Sequence, residues 1–291
     1  MRDFVIITET TTDLPASYME ENGLVIVPLY YQIDETIYGE EKHLEPKEFF
    51  DAMRNGATPT TSASNPDTVR RKYIEIIESG KDILHLAFSS GLSCSYNNAA
   101  FVANEVSEEY PDAKIIVVDT LCASLGQGLI VNSAVQMKKN GKSIDEIAAW
   151  IESKKLNLCH QFTVDDLIYL YRGGRLKKSS AILGTIINIK PVLHVDNEGH
   201  LVPLSKVRGR KKSLNALVDN MVAALEDYDF DIENEWVYIS HGDCIEDAEY
   251  VKKQIEERIG VKNFLINDLS PTIGSHAGPG TVALFYYGKV R

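Results

Sequence analysis

The chain has 291 residues, with 30 Lys and Arg against 42 Asp and Glu, a formal net charge of −12. That length allows two hydrophobic cores, and a composition 44% hydrophobic and 25% charged excludes wholesale disorder, collagen and long coiled coil. The acidic balance excludes broad binding of nucleic acid or an anionic membrane, which needs surplus Lys and Arg, although a local basic patch can hide inside an acidic total.

The opening MRDFVIITETTTDLP lacks the apolar core of a signal peptide. The longest apolar stretch, Ala181–Ile189, falls short of the roughly 18–20 residues that a membrane span requires. A cytoplasmic location is expected. The four cysteines, Cys94, Cys122, Cys159 and Cys244, form no C-x-x-C pair, so they read as reduced and structural, with no metal site among them.

In chain order, Phe4–Thr8 is a buried strand and Asp13-Leu-Pro opens a helix with Asp13 as its cap. Leu24–Tyr31 is a second strand, Ile33–Gly39 a hairpin and Pro46–Met53 a helix. Helix Pro66–Ser79, strand Asp82–Ser89, helix Ser95–Tyr110, strand Lys114–Asp119 and helices Ala123–Lys139 and Ser143–Lys154 follow. This alternation predicts a mostly parallel sheet with helices on both faces. The second half mixes strand Leu158–Thr163, helices Asp165–Tyr171 and Ser179–Thr185, and a hairpin of Lys190–Val195 and His200–Lys206. Then come helix Lys211–Leu225, strand Glu235–Ser240, helix Cys244–Ile259, and strands Val261–Asp268 and Val282–Tyr287. It predicts an α+β domain with an antiparallel sheet. The expected division is an N-terminal α/β domain over 1–160 and a C-terminal α+β domain over 161–291.

Three hydroxyl-rich loops follow first-half strands: Thr8–Asp13, Ser89–Ser95 and Asp119–Gly126. Open α/β sheets bind ligands at the carboxyl ends of their strands, where hydroxyls and helix N-termini can cradle an anion, although the same residues also serve as helix caps. Gly91-Leu-Ser93-Cys94-Ser95 fails as a nucleophile elbow, because Ser95 stands where the second glycine belongs. Pro59–Pro66 reads as a capping loop before a helix. The segments 171–178 and 206–212 hold nine of the 30 basic residues in 15 positions, without the spacing of a phosphate-binding loop. They suggest a docking surface for an acidic or phosphate-bearing partner. His276 lies in a loop punctuated by Gly and Pro, and His241 is a weaker candidate of the same kind; Cys94 is the one cysteine whose motif leaves a role beside the structural one.

Taken together, these segments resemble the DegV family of bacterial lipid-binding proteins over essentially the whole chain. The shared pattern runs Thr-Thr-Asp13-Leu, Thr61-Ser62, Ser-Ser-Gly-Leu-Ser93-x-x-Tyr-Asn and Val-Asp119-Thr…Ser124-x-Gly-x-Gly128. It continues with Tyr-x-x-Gly-Gly-Arg175-Leu, Arg208-x-Arg210-Lys-Lys and Gly274-x-His276-x-Gly-Pro-Gly. The resemblance implies a two-domain α/β protein holding one long-chain fatty acid between its domains. It also implies that a separate, ATP-dependent fatty acid kinase subunit phosphorylates the bound carboxylate. By position, Thr61, Ser62, Ser93 and His276 match the carboxylate-binding residues, and Arg175, Arg208 and Arg210 the surface for kinase docking. Two departures mark this chain: Ala63-Ser-Asn-Pro66 replaces the usual Gln-Pro-Ser-Pro, and Cys94 stands where glycine is usual. The expected protein is a monomeric carrier with no catalytic residue, no metal and no cofactor beyond its lipid, compatible with transient membrane contact. Two alternatives stand beside it. One is a self-sufficient phosphotransferase or lipid hydrolase, with Glu9, Asp13 and Asp119 as Mg²⁺ ligands. The other is a lipid-responsive regulatory sensor.

Overall fold

The computed structural model describes residues 2–176, 189–289 and 291. The expected helix Ser179–Thr185 lies outside the described residues, as do Lys177 and Lys178 of the first basic cluster.

The first half builds a parallel sheet from β1 (Phe4–Glu9), β2 (Val25–Val27), β6 (Asp82–Ala87) and β7 (Ile115–Asp119), in the order β2-β1-β6-β7. The short helix α1 (Ala16–Glu21) carries the chain from β1 to β2. On one face, α3 (Pro66–Glu78) and α4 (Ser95–Glu109) bury Tyr73, Ile76, Val102 and Val106 against Ile7 and Ile83. On the other lie α5 (Leu125–Lys139) and α6 (Ile144–Lys154), the latter opened by a reciprocal Ser143–Glu146 capping box. The strand order reverses between β1 and β6, so the loops after those two strands diverge and leave a crevice at their carboxyl ends.

A small antiparallel sheet joins β3 (Tyr30–Ile33), β4 (Thr36–Tyr38) and β5 (Thr60–Ser62) in the order β4-β3-β5. Helix α2 (Pro46–Arg54) covers it with Phe49, Phe50 and Met53. Three expectations are corrected in this half of the chain. The single strand Leu24–Tyr31 is two strands in different sheets, separated at Pro28, which has no N–H to give to a ladder. The capping loop at Pro59–Pro66 contains β5, and its Thr60 and Thr61 suit a pleated strand. Asp13 does not cap a helix; it sits in the left-handed region after a 3₁₀ turn, and α1 starts beyond it at Ala16.

The second half forms a six-stranded sheet from β8 (Leu158–Thr163), β9 (Ile189–Val195), β10 (Leu201–Arg208), β11 (Trp236–His241), β12 (Asn263–Asp268) and β13 (Val282–Tyr287). The order is β10-β9-β8-β13-β11-β12, antiparallel except for β11 with β12. Helices α8 (Arg210–Leu225) and α9 (Ile245–Arg258) cover one face. The short helices α7 (Ile168–Arg172) and α10 (Pro271–Ala277) pack together, and α10 also packs on α2, β3 and β5 of the small layer. The expected α/β architecture, a parallel sheet flanked by helices and then an antiparallel-rich sheet, is the one observed.

Helix α5 joins the two halves. It touches β1 and β6 on one side and β8, β11 and β13 on the other, so every residue from Leu125 to Val131 is buried. Its first two turns are buried all round, and the polar residue among them, Gln127, is hydrogen-bonded to Thr8, Glu9, Thr11 and the Leu86 carbonyl. Its glycines allow the close approach: a Cβ on Gly126 would lie 2.3 Å from His160 Nε2, and one on Gly128 would lie 2.8 Å from the Thr12 carbonyl oxygen.

Candidate functional site

The crevice at the carboxyl ends of β1 and β6 opens into a cavity between the sheets. Its walls come from the loop after β6 (Phe88, Leu92, Ser93), the start of α5 (Ala123, Ser124), β8 (His160, Phe162), β13 (Ala283, Phe285), α10 and β5. Most of the lining is apolar, and about 90 Å³ is open to the centre of a water-sized sphere. An outer cleft of about 290 Å³ on the same measure is lined by Thr58–Thr61, Tyr169, Arg172, Gly173, Arg175, Ser275 and His276. Thr61, Arg175 and His276 line both spaces.

The structure brings Thr61, Ser62, Ser93 and His276 into one wall, although 215 positions separate Thr61 from His276. β5 delivers Thr61, whose Oγ1 lies 2.8 Å from His276 Nε2. α10 delivers His276, and its ring packs so closely on Gly173 that a Cβ there would lie 2.0 Å from Nδ1. Nδ1 is buried and has no hydrogen-bond partner among the described residues. Burial, reinforced by the Arg175 charge, pushes the imidazole down to about 4, so it is neutral at physiological pH. Ser93 Oγ lies 2.9 Å from Ser95 Oγ at the start of α4, and Ser95 Oγ accepts from the Ser64 amide at 3.2 Å. Asn98 Nδ2 donates to the Ser64 carbonyl at 2.9 Å. Together these bonds tie the segment after β5 to the N-terminus of α4.

Arg175, expected on a docking surface, stands in the cavity wall. Its Nε donates to the Leu92 carbonyl at 3.0 Å and Nη1 to the Gly173 carbonyl at 2.6 Å. Among the described lining residues it is the one permanently charged side chain. Arg208 is exposed at the end of β10. Arg210 is not presented freely, because Nε and Nη2 both lie 2.8 Å from Asp247 Oδ2, and Nη1 lies 3.7 Å from Asp165 Oδ1. The reason is local: α8 starts at Arg210, directly opposite the first turn of α9.

Other candidates fall elsewhere. His241 Nδ1 pairs with Asp268 Oδ1 at 3.3 Å beside a separate depression shared with Asp243, Cys244 and Asp247. Cys94 is exposed at the cap of α4 and does not line the cavity. The three proposed Mg²⁺ ligands are not gathered. Glu9 is buried, accepting from Gln127 Nε2 at 2.6 Å and the Phe88 amide at 3.0 Å. Asp13 binds Ser124 and Ser270, and Asp119 Oδ1 accepts from the amides of Ser90 and Leu121.

Among the lining residues that sequence reasoning does not single out, Arg172 and His160 carry ionisable side chains. Arg172 was passed over inside its basic run. His160 sits on the cavity face of β8 with Phe162, and the two-residue period of a strand could have paired them. Its ring is held at both nitrogens, Nδ1 3.2 Å from the Leu158 carbonyl and Nε2 3.4 Å from the Ala123 amide, and burial drives its pKa well below the usual value. Across the β8–β13 pair His160 faces Phe285, four residues beyond Thr281 at the His276 end. At about 3.4 Å per residue that row lies roughly 14 Å deeper. The next residues on that face, Leu158 and Tyr287, belong to the packed core, so His160 and Phe285 form the cavity floor.

Comparison with known proteins gives one consistent result. Residues 3–289 match the model of the family described as "Uncharacterised protein, DegV family". A DegV domain-containing protein of Clostridium perfringens is 43% identical, covering 100% of this chain and 99% of its own. One from Lactococcus lactis is 37% identical, covering 97% and 96%. Among solved structures, a DegV family protein from Thermus thermophilus, described as fatty acid binding, is 31% identical, covers 99% of this chain and 100% of its own, and superposes with a TM-score of 0.86. A stearic acid-binding protein from Eubacterium ventriosum is 25% identical over 98% of each chain, with a TM-score of 0.90. The chain therefore belongs to the DegV family.

Proposed function

We propose that this protein binds one long-chain fatty acid, with its acyl chain in the cavity and its carboxylate where Thr61, Ser62, Ser93 and His276 converge. We propose further that it presents that carboxylate to a separate ATP-dependent kinase subunit. The observation that carries the reading is the double exposure of Thr61, Arg175 and His276 to an apolar cavity on one side and a polar cleft on the other. A carboxylate at that boundary keeps its chain dry and its oxygens reachable. The relatives from Thermus thermophilus and Eubacterium ventriosum, described as fatty acid and stearic acid binders, support the same ligand class.

The energetics suit such a ligand. A chain of about sixteen carbons gains about 0.8 kcal/mol per buried methylene, roughly 10 kcal/mol before the costs of association. A buried carboxylate is expensive unless it is hydrogen-bonded. Hydroxyls of Ser62 and Ser93 can donate to it, while the single Thr61 proton goes to His276 Nε2, which puts the ring proton on Nδ1. Arg175, anchored to two carbonyls, supplies charge from a fixed position. In the proposed reaction a carboxylate oxygen attacks the γ-phosphorus of ATP, ADP leaves, and an acyl phosphate forms. The chain contributes orientation of the nucleophile, and the partner contributes nucleotide, metal and phosphoryl-transfer groups. It thus acts as a carrier rather than an enzyme, and the reading takes it as a cytoplasmic monomer.

The docking surface is placed around the outer cleft, with Arg172 and Arg175 at its edge and Arg208 beyond. The division into two domains is placed near residue 160, just inside β8, and what supports it is that β7 belongs to the first sheet and β8 to the second. Mass spectrometry of an organic extract of the purified protein tests the ligand. A co-purifying fatty acid is expected; its absence, together with no binding of added oleate or palmitate, would sink the reading.

A further inference from the structure

We propose that Asp13 is a positioning residue whose protonated carboxyl joins the start of α5 to the start of α10 behind the cavity wall, and that its ionisation loosens the end of the cavity that carries His276. The proposal rests on the fatty-acid reading only for the identity of the ligand; the joint itself needs no ligand.

The geometry is specific. Asp13 is 5% exposed. Its Oδ2 accepts from Ser124 Oγ at 2.5 Å and its Oδ1 from the Ser270 amide at 2.9 Å, while Asn267 Nδ2 donates to its carbonyl at 2.8 Å. Ser124 precedes α5, and Ser270 precedes α10. Ser124, Leu269 and Thr272 line the cavity, so the carboxyl stands directly behind them. Two of the non-glycine residues with positive φ meet in this contact, Asp13 at 53° and Ser124 at 56°. Such backbone persists where the surroundings over-determine it, and it clusters at functional sites.

No cation pairs with this carboxyl among the described residues. α5 and α10 present it with the hydroxyl of Ser124 and the amide of Ser270, and Ser240 of β11 reaches Ser124 Oγ at 2.8 Å. The charged group facing it is Asp268, at the end of β12, itself paired with His241. Burial pushes Asp13 up to about 7, Asp268 adds to the rise, and the bonds from Ser124 and Ser270 oppose it. When protonated, Asp13 donates to Ser124 Oγ, and the Ser124 hydroxyl turns to donate to Ser240 Oγ. When ionised, it is a buried anion without a counter-charge, and opening towards water is favoured. A ligand carboxylate in the same cavity opposes that ionisation as a like charge.

The direction with pH follows. The native value lies above the ordinary 3.8, so the Asp13 contribution is whole below about 4 and lost as pH rises through about 7. His276, also on α10, runs the other way, because its native value lies below the ordinary 6.5. The two oppose each other between about 4 and 6.5, so the comparison must cancel His276.

Asp13→Asn keeps the shape and cannot ionise. Amide hydrogen exchange of α10, corrected for intrinsic rates, is measured in both proteins from about pH 5 to about pH 8. The ratio of protection, variant over wild type, is expected to rise by up to about tenfold per pH unit and to level off near neutrality. A constant ratio overturns the proposal. Ser124→Ala, which removes the bond from α5, is expected to lower protection in α10, and unchanged protection there also overturns it. Binding of cis-parinaric acid separates the two readings. A rising exchange ratio in a protein that binds no fatty acid leaves the joint standing and the ligand wrong. Tight binding with a constant ratio does the reverse.

Discussion

Thr61 and His276 form the contact on which the polar end of the cavity turns. Thr61 comes from β5 of the small sheet and His276 from α10, where its ring packs against Gly173. Thr61→Ala removes the partner of Nε2 and leaves both ring nitrogens without a hydrogen bond. The expected loss in fatty-acid affinity is about 1–3 kcal/mol, the range for leaving a buried polar group unsatisfied, and Thr61→Ser is expected to recover most of it. Displacement of a fluorescent fatty acid measures both. Equal affinity in the alanine variant would remove Thr61 from the carboxylate site. His276 also sets a stability window. Its native pKa lies below the unfolded value, so its contribution is present above about pH 6.5 and lost as pH falls through about 4. Thermal melts of His276→Gln are therefore expected to lose less stability than wild type between neutral and mildly acidic pH. Parallel losses in the two proteins would count against the buried neutral imidazole.

At the scale of elements, α5 decides the distance between the two larger sheets. Gly126→Ala places a methyl group against His160 and Phe285, so overpacking of about 1–3 kcal/mol is expected in urea unfolding. The same displaced His160 would shorten the cavity, and the bound acyl chains should become shorter. His160→Ala is expected to act in the opposite sense and admit longer chains. Acyl profiles of co-purified lipid report both, and unchanged profiles would place the floor elsewhere. Elements also show what was legible in the sequence. The parallel strands and their helices were readable because β1, β6 and β7 are apolar runs bounded by caps and turns. β5 was not readable, since Thr60-Thr61-Ser62 is three polar residues whose strand character comes from pairing with β3, a tertiary fact. Pro28 was readable in principle, and the missed signal was its absent N–H. Ser93 and His276 carry local cues, a hydroxyl-rich loop after a strand and a setting of Gly and Pro, whereas Thr61 and Ser62 come from motif order. The cavity-wall place of Arg175 depends on carbonyls of Leu92 and Gly173, which no composition reveals.

The whole molecule carries a charge of −12, so cations near the outer cleft stand against an acidic body. Such an arrangement steers an acidic partner by its field, and the effect weakens as salt shortens the Debye length to about 8 Å at physiological strength. The two basic clusters are not equivalent within that field. Arg175 belongs to the cavity wall as well as to the cleft, so Arg175→Ala is expected to weaken lipid binding and acyl-phosphate formation together. Arg210 is tied to Asp247, so its removal is expected to act mainly through the packing of α8 on α9. Arg208 is exposed and lines neither the cavity nor the cleft. Arg208→Ala is therefore the discriminating variant. Reconstituted with the kinase subunit, it is expected to keep wild-type affinity for fatty acid, to form acyl phosphate severalfold more slowly at low protein concentration, and to show a shallower dependence on salt. The physical reason is that a surface charge acts on encounter with the partner, whereas a wall charge acts on the bound carboxylate. Equal rates for Arg208→Ala and wild type across a salt series would move the docking surface away from β10. A loss of lipid affinity in that variant would mean that the end of β10 reaches the cavity, and the separation of wall from surface would fall with it.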